Sequence, residues 1–292
     1  MLIDTHCHLA FKAFDDSWLE VVKRARDKDI QMIVVGAAKA TSEKSIAIAE
    51  QSGGVFASVG LHPTHTDEEF DFAWFKNAAD NLKVVAIGET GIDHYHIDVT
   101  PRHSELVEES QGYSRDPSTP LRSARDDDKK RAVVLKKQED LLRQHLTIAR
   151  DKKLPVILHS RDGKTESTGE CYNHIYQVLT DFGYFNGVLH CYGGDWLMAK
   201  KFLDLGLMLS FTGIVTFKNV SESLKEVVRN VPLDRFMIET DSPYLAREPE
   251  RGKENEPAFV EHIARGIAEI RGVSYDEVAR VTTENARKFF NI

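Results

Sequence analysis

Cysteine is scarce: the chain of 292 residues has three, Cys7, Cys171 and Cys191, and no Cys-x-x-Cys. That argues against a disulfide framework and a zinc-finger site, and it suits a reducing cytoplasm. No apolar run approaches the roughly 20 residues that span a bilayer. The opening Met1-Leu2-Ile3-Asp4 also lacks the basic region of a signal peptide. Neither membrane association nor an obligate protein partner is expected. Positive charge is not in excess, since the formal net charge is -8, which argues against indiscriminate coating of nucleic acid. A nuclease stays open, because bound metal ions can neutralise substrate phosphates locally. No Gly-x-Gly-x-x-Gly follows any apolar run, so a dinucleotide-binding open sheet has no fingerprint here.

What is present is alternation. With 41% hydrophobic and 29% charged residues the chain has a soluble globular composition. A first strand lies within residues 1–10. Short apolar runs follow at 30–36, 55–59, 84–89, 155–159, 187–190, 207–211 and 236–239. Between and after them come amphipathic stretches at 18–28, 41–51, 68–79, 135–151, 170–181, 196–205, 221–228, 257–270 and 275–290, with Thr41 as a helix cap. The short strands are nearly all apolar, as parallel strands covered on both faces should be. Eight strands, each followed by a helix, predict an α/β protein with a single (β/α)8 TIM barrel over 1–292.

Barrel active sites lie at the C-terminal ends of the strands, and those ends carry one kind of side chain. In Asp4-Thr5-His6-Cys7-His8 the two histidines are two apart, so a strand projects them together. Glu89 ends the fourth strand, His159 the fifth and His190 the sixth, and Asp241 lies just past the eighth. Any one of these could be a satisfied polar residue at a rim. Together they read as metal ligands. Six ligands exceed what one tetrahedral zinc needs and fit two divalent ions sharing a carboxylate, as in two-metal phosphoester hydrolases. Imidazole suits Zn2+ or other transition ions, whereas Mg2+ prefers oxygen, so Zn2+, Mn2+ and Mg2+ are all candidate ions. Asp241 is also placed to orient a water and accept its proton.

Gly60-Leu61-His62-Pro63, the stretches 88–93 and 154–161, His190-Cys191-Tyr192-Gly193-Gly194, Glu239-Thr240-Asp241-Ser242-Pro243-Tyr244 and the stretch 251–257 join the first motif in order along nearly the whole chain. In this the sequence resembles the TatD family of metal-dependent deoxyribonucleases, within the amidohydrolase-type barrels. The resemblance implies that His6, His8 and Asp241 hold one metal and that His159 and His190 hold the other, with Glu89 bridging them. It implies hydrolysis of DNA phosphodiesters, commonly as a 3′-to-5′ exonuclease acting on single strands or 3′ ends. The family is usually described with magnesium. Some members are credited with removing D-amino acids from tRNA, so a two-metal hydrolase of acyl bonds or lactones is the alternative. A binding protein that has lost its chemistry is disfavoured by the complete ligand set.

Further residues are candidates for holding substrate. His62 would contact substrate or shape its loop. Arg161 would grip a phosphate or pair with a neighbouring Asp. Arg251, Lys253 and Asn255 lie where a phosphate grip is expected, although Glu254 stands where the family commonly has a basic residue. Cys7 and Cys191 flank ligands but should turn away as packing residues. Residues 102–132, with mixed charge, Ser, Pro and no sustained apolar period, match nothing in the family pattern. They are expected to be a disordered insertion that projects away from the mouth.

Overall fold

The computed structural model describes residues 1–97, 121–163, 169–245 and 254–292. Eight parallel strands pair in chain order: β1 (Leu2–Cys7), β2 (Ile30–Val35), β3 (Val55–Val59), β4 (Val84–Asp93), β5 (Val156–Arg161), β6 (Gly187–Leu189), β7 (Met208–Phe211) and β8 (Phe236–Ile238). A parallel bridge from Cys7 to Ser242, just past β8, brings the last strand round to the first. The barrel is nearly closed.

Helices follow the strands in turn: α1 (Trp18–Asp27), α2 (Lys39–Gln51), α3 (Phe72–Ala78), α4 (Leu121–Lys152), α5 (Glu170–Phe182), α6 (Trp196–Asp204) and α7 (Glu222–Asn230). Two more, α8 (Val260–Arg271) and α9 (Tyr275–Phe290), complete the chain. Side-chain caps fix several starts. Asp71 accepts from Trp74 N, Asp195 from Met198 N, Ser221 from Leu224 N and Ser274 from Glu277 N. Two apolar clusters result. Ile3, Ile33, Val85, Ile157, Met208 and Met237 come from strands all round the barrel and pack together with Phe290 of α9, which places them inside it. The larger cluster lies between the outer faces of the strands and the helices.

Several boundaries differ from the sequence reading. Strand β4 runs on to Asp93, because the segment 90–93 pairs with β5 (Thr90 with Leu158, Asp93 with Arg161) and is not loop. Helix α3 starts at Phe72, where Asp71 supplies the cap, and not at 68. Thr41 is inside α2, and its hydroxyl accepts from the Ala37 and Ala38 amides behind it. The largest difference is α4, expected from 135 and found from Leu121, so residues 121–132 are helical and not a disordered stretch. Residues 102–120 lie outside the described residues. Among those described, no helix is long and apolar enough to cross a membrane.

Candidate metal centre at the barrel mouth

His6 and His8 are both buried at the end of β1, with their Nε2 atoms 3.1 Å apart. His8 Nδ1 lies 3.1 Å from the Val35 carbonyl, an acceptor only, so Nδ1 carries the proton. Its Nε2 then offers a bare lone pair to the space it shares with His6. Asp241 Oδ1 reaches that space from beyond β8, 3.4 Å from His8 Nε2 and 3.8 Å from His6 Nε2. Glu89 Oε2 enters from β4, at 3.4 Å from His6 Nε2 and 3.6 Å from His8 Nε2.

The other oxygen of Glu89 faces a second set. Oε1 is 2.7 Å from His159 Nδ1, 3.2 Å from His190 Nε2 and 3.5 Å from His62 Nε2. Its approach depends on glycine. Gly88 has φ of 138°, and a Cβ there would lie 2.6 Å from the Ile157 carbonyl oxygen. Only glycine takes that conformation without cost.

Outside this space, the far nitrogens of the rings are anchored. His62 Nδ1 meets the Thr64 hydroxyl at 2.7 Å, His159 Nε2 meets Asp93 at 3.0 Å and His190 Nδ1 meets Glu239 at 2.9 Å. Carboxylates and carbonyls behind imidazoles fix tautomer and orientation, as is usual for histidines that bind metals. Among the five rings, His6 Nδ1 is buried without a hydrogen-bond partner. Asp93 and Glu239 were not among the sequence candidates. Asp93 stands four residues after Glu89 and Glu239 two before Asp241, but which ring each carboxylate faces is set only by the fold.

The electrostatics favour a cation. Burial would raise the Glu89 pKa, but His62, His190 and His6 and the hydrogen bond with His159 hold it well below the ordinary carboxylate value. Burial opposes the charge on Asp241 in the same way, and His8, His190 and His6 reverse the effect. On the imidazole side, burial would lower His159, yet Asp93 and Glu89 raise it to about 9. His190 is raised well above its usual value by Glu89 and Glu239 against the same burial. His62 goes the other way, lowered to about 4 by burial and by His159 despite Glu89. A largely buried pocket with this many carboxylates draws in positive charge, and protons and divalent ions compete for the same nitrogens. Three groups each have ligand atoms within 4.8 Å of one another: His6, His8 and Asp241; His6, His190 and Glu239; His62, Glu89 and His159. The residues present therefore fit divalent metal.

The structure brings all six expected ligands into this cluster and adds His62. Arg161 is exposed at the end of β5, with its guanidinium 3.9 Å from the Tyr95 ring centroid and no ion pair to a described Asp. Asn255 is buried and gives its amide to backbone: Nδ2 donates to Thr240 O and Tyr244 O, and Oδ1 accepts from Glu256 N. Both amide hydrogens are used, which leaves no donor for a phosphate. Arg251 and Lys253 lie outside the described residues. Cys7 and Cys191 turn aside, to the Ile33 carbonyl and the Thr212 hydroxyl.

A family model described as TatD related DNase matches residues 3–291. The chain is 34% identical over 296 residues to an uncharacterized metal-dependent hydrolase, YcfH, of Escherichia coli strain K12, covering 100% of this chain and 96% of that one. It is 33% identical over 297 residues to the uncharacterized metal-dependent hydrolase YabD of Bacillus subtilis strain 168, with both chains fully covered. Among solved structures, the TatD homolog YJJV from Escherichia coli superposes with a TM-score of 0.78 at 24% identity, over 100% of this chain and 98% of that one.

Proposed function

Because the chain belongs to the TatD family of metal-dependent hydrolases, we propose that it hydrolyses DNA phosphodiester bonds as a 3′-to-5′ exonuclease, with two divalent ions held across Glu89. The observation that carries this reading is the division of that one carboxylate, Oε2 toward His6 and His8 and Oε1 toward His159, His190 and His62. His6, His8 and Asp241 would hold one ion, and His159 and His190 the other. The imidazole-rich set favours zinc or another nitrogen-preferring transition ion over magnesium.

Ions bound there would supply Lewis acidity, lowering the pKa of water toward neutrality and offsetting charge on phosphate oxygens. The chain's own residues do the rest. Asp241, held ionised and 15% exposed, orients the attacking water and takes its proton. Asp93 and Glu239 keep the His159 and His190 rings aimed inward. His62 is neutral at physiological pH and presents Nε2 beside the second set, on the substrate side. Arg161, still exposed on its Tyr95 platform, supports contact with a neighbouring phosphate. The three cysteines are free thiols, which favours the cytoplasm as the compartment.

The test is to incubate the purified protein with 5′-labelled single-stranded and duplex DNA, an aminoacyl ester and a lactone. Each is run after chelation and again with added Mn2+, Zn2+ or Mg2+. DNA shortening from its 3′ end, abolished by chelation and restored by metal, is expected. Metal-dependent turnover of the ester or lactone beside intact DNA would move the protein to acyl hydrolysis.

A further inference from the structure

The metal centre has an aromatic flank that the reactions above do not use. Phe11, just past β1, lies flat on the His8 imidazole, with centroids 4.3 Å apart and planes at 13°. Tyr244, three residues past Asp241, stands edge-on to both rings. Its centroid is 6.4 Å from His8 and 6.4 Å from Phe11, at 70° and 72°. Tyr244 is 47% exposed, and among the described residues no other Phe, Tyr or Trp is so bare. The remaining exposed large apolar side chains are Met1, Leu19, Leu82, Val133 and Leu197. Met1 and Leu82 sit ahead of strands, and Leu19, Val133 and Leu197 lie on helices.

The Tyr244 position is built. Its amide donates to the Asp241 carbonyl at 3.0 Å, and its own carbonyl accepts from the buried Asn255 amide at 2.6 Å. The residue expected to grip phosphate is spent on holding this ring's backbone. A fixed, uncharged, half-exposed ring beside a cluster of charged ligands adds little to the core. What it offers is a flat face next to the reacting phosphate. Tyr95, by contrast, already has the Arg161 guanidinium on it. In DNA the flat, uncharged group one sugar away from a phosphate is the base.

We propose that Phe11 and Tyr244 form a subsite for the nucleobase beside the scissile phosphate, with Tyr244 stacking on the base and Phe11 backing both Tyr244 and His8. This rests on the reading of DNA as substrate. Stacking tolerates all four bases, because every base has a π face. The subsite therefore selects for the presence of a base and not for its identity.

Two measurements test it, one of which needs no hydrolysis. The first compares kcat/KM on oligonucleotides that carry either an ordinary nucleotide or an abasic residue on each side of the scissile linkage. The parent is expected to favour the base-bearing substrate by about tenfold, the size of one base–aromatic stack. Tyr244→Phe should keep that preference, while Tyr244→Ala and Tyr244→Leu should bring the ratio close to one. The second measures fluorescence quenching of a 3′-terminal 2-aminopurine oligonucleotide, which should be present in the parent and in Tyr244→Phe and reduced in the other two. An unchanged ratio in Tyr244→Ala and Tyr244→Leu overturns the proposal. So does a loss in Tyr244→Phe equal to that in Tyr244→Ala. Quenching without DNA cleavage would sink the hydrolysis reading and leave the subsite standing; absence of both would sink the two together.

Discussion

At Asp241 the backbone stands in the left-handed region, with φ of 55°. Among residues with a side chain, Asn and Asp adopt it most readily, so Asp241→Asn should keep the fold while removing the charge and the proton acceptor. Loss of a proton-transfer role costs about 10²–10⁴-fold, and kcat in defined metal should fall within that range. A near-parental rate would remove Asp241 from the role given to it. Glu89 makes a second test, through metal content. If one carboxylate serves both sets, Glu89→Gln should lower occupancy at both, whereas His159→Ala should chiefly empty one. Metal counted per chain after dialysis separates the two, and equal single-ion losses would contradict the bridge. At this scale the six clustered candidates were legible because each stands at or just past the end of a strand as the sequence reads it. Asp93 and Glu239 were not, because a carboxylate behind a histidine has no signature of its own. Its meaning depends on which ring the folded strands set before it, here one on β5 next to β4 and one at the end of β6, across β7 from β8.

Helix α4 ties two of the site's strand ends together from outside the barrel. His145 is buried, with Nδ1 2.8 Å from the Leu141 carbonyl and Nε2 accepting from the Leu61 amide at 3.0 Å, next to His62. Two turns earlier, Gln138 accepts from Asp93 N at 3.0 Å and donates to Pro63 O and Asp93 O at 3.1 Å each. Positions seven apart share a helix face, so one stripe of α4 holds the β3 exit to the end of β4. The amphipathic pattern made this part of the helix readable, yet its polar stripe reads as solvent-facing until the strand ends are in place. His145 also makes stability depend on pH. Burial lowers its pKa to about 4, against an ordinary value near 6.5. Since the folded value is depressed, the contribution is complete above about pH 6.5 and is lost as pH falls toward 4, amounting to about 3 kcal/mol. His145→Gln keeps an acceptor but cannot titrate. The gap in melting temperature between parent and variant should therefore shrink as the buffer is taken from pH 7 to pH 4. A gap that stays constant would assign the acid sensitivity to other groups.

Over the whole molecule, the barrel was legible from eight apolar runs, but its seam was not. Strand β8 has three residues, too few to zip the last strand to the first by backbone alone. Side chains finish the job: Asp4 accepts from Thr240 N at 2.8 Å and from the Thr240 hydroxyl at 2.6 Å, just ahead of Asp241. A sequence-distant pairing of this kind leaves no periodicity to read. The same scale decides what the segment 102–132 contributes. From Lys129 to Lys137 the side chains of α4 are exposed or half-buried, and its buried face begins at Gln138 and continues through Leu141, Leu142, His145 and Leu146. Among the α4 residues whose burial is described, the buried ones all lie beyond residue 132. Joining Pro101 to Val133 keeps that buried face and shortens a connection whose length carries only a small entropic cost. The shortened chain should fold, bind the same number of metal ions and hydrolyse DNA within a few-fold of the parent. Chromatography, metal content and the 3′-end assay on the one preparation check all three. A shortened chain that folds and keeps its metal but no longer cleaves DNA would show that the segment reaches the mouth and takes part in holding substrate.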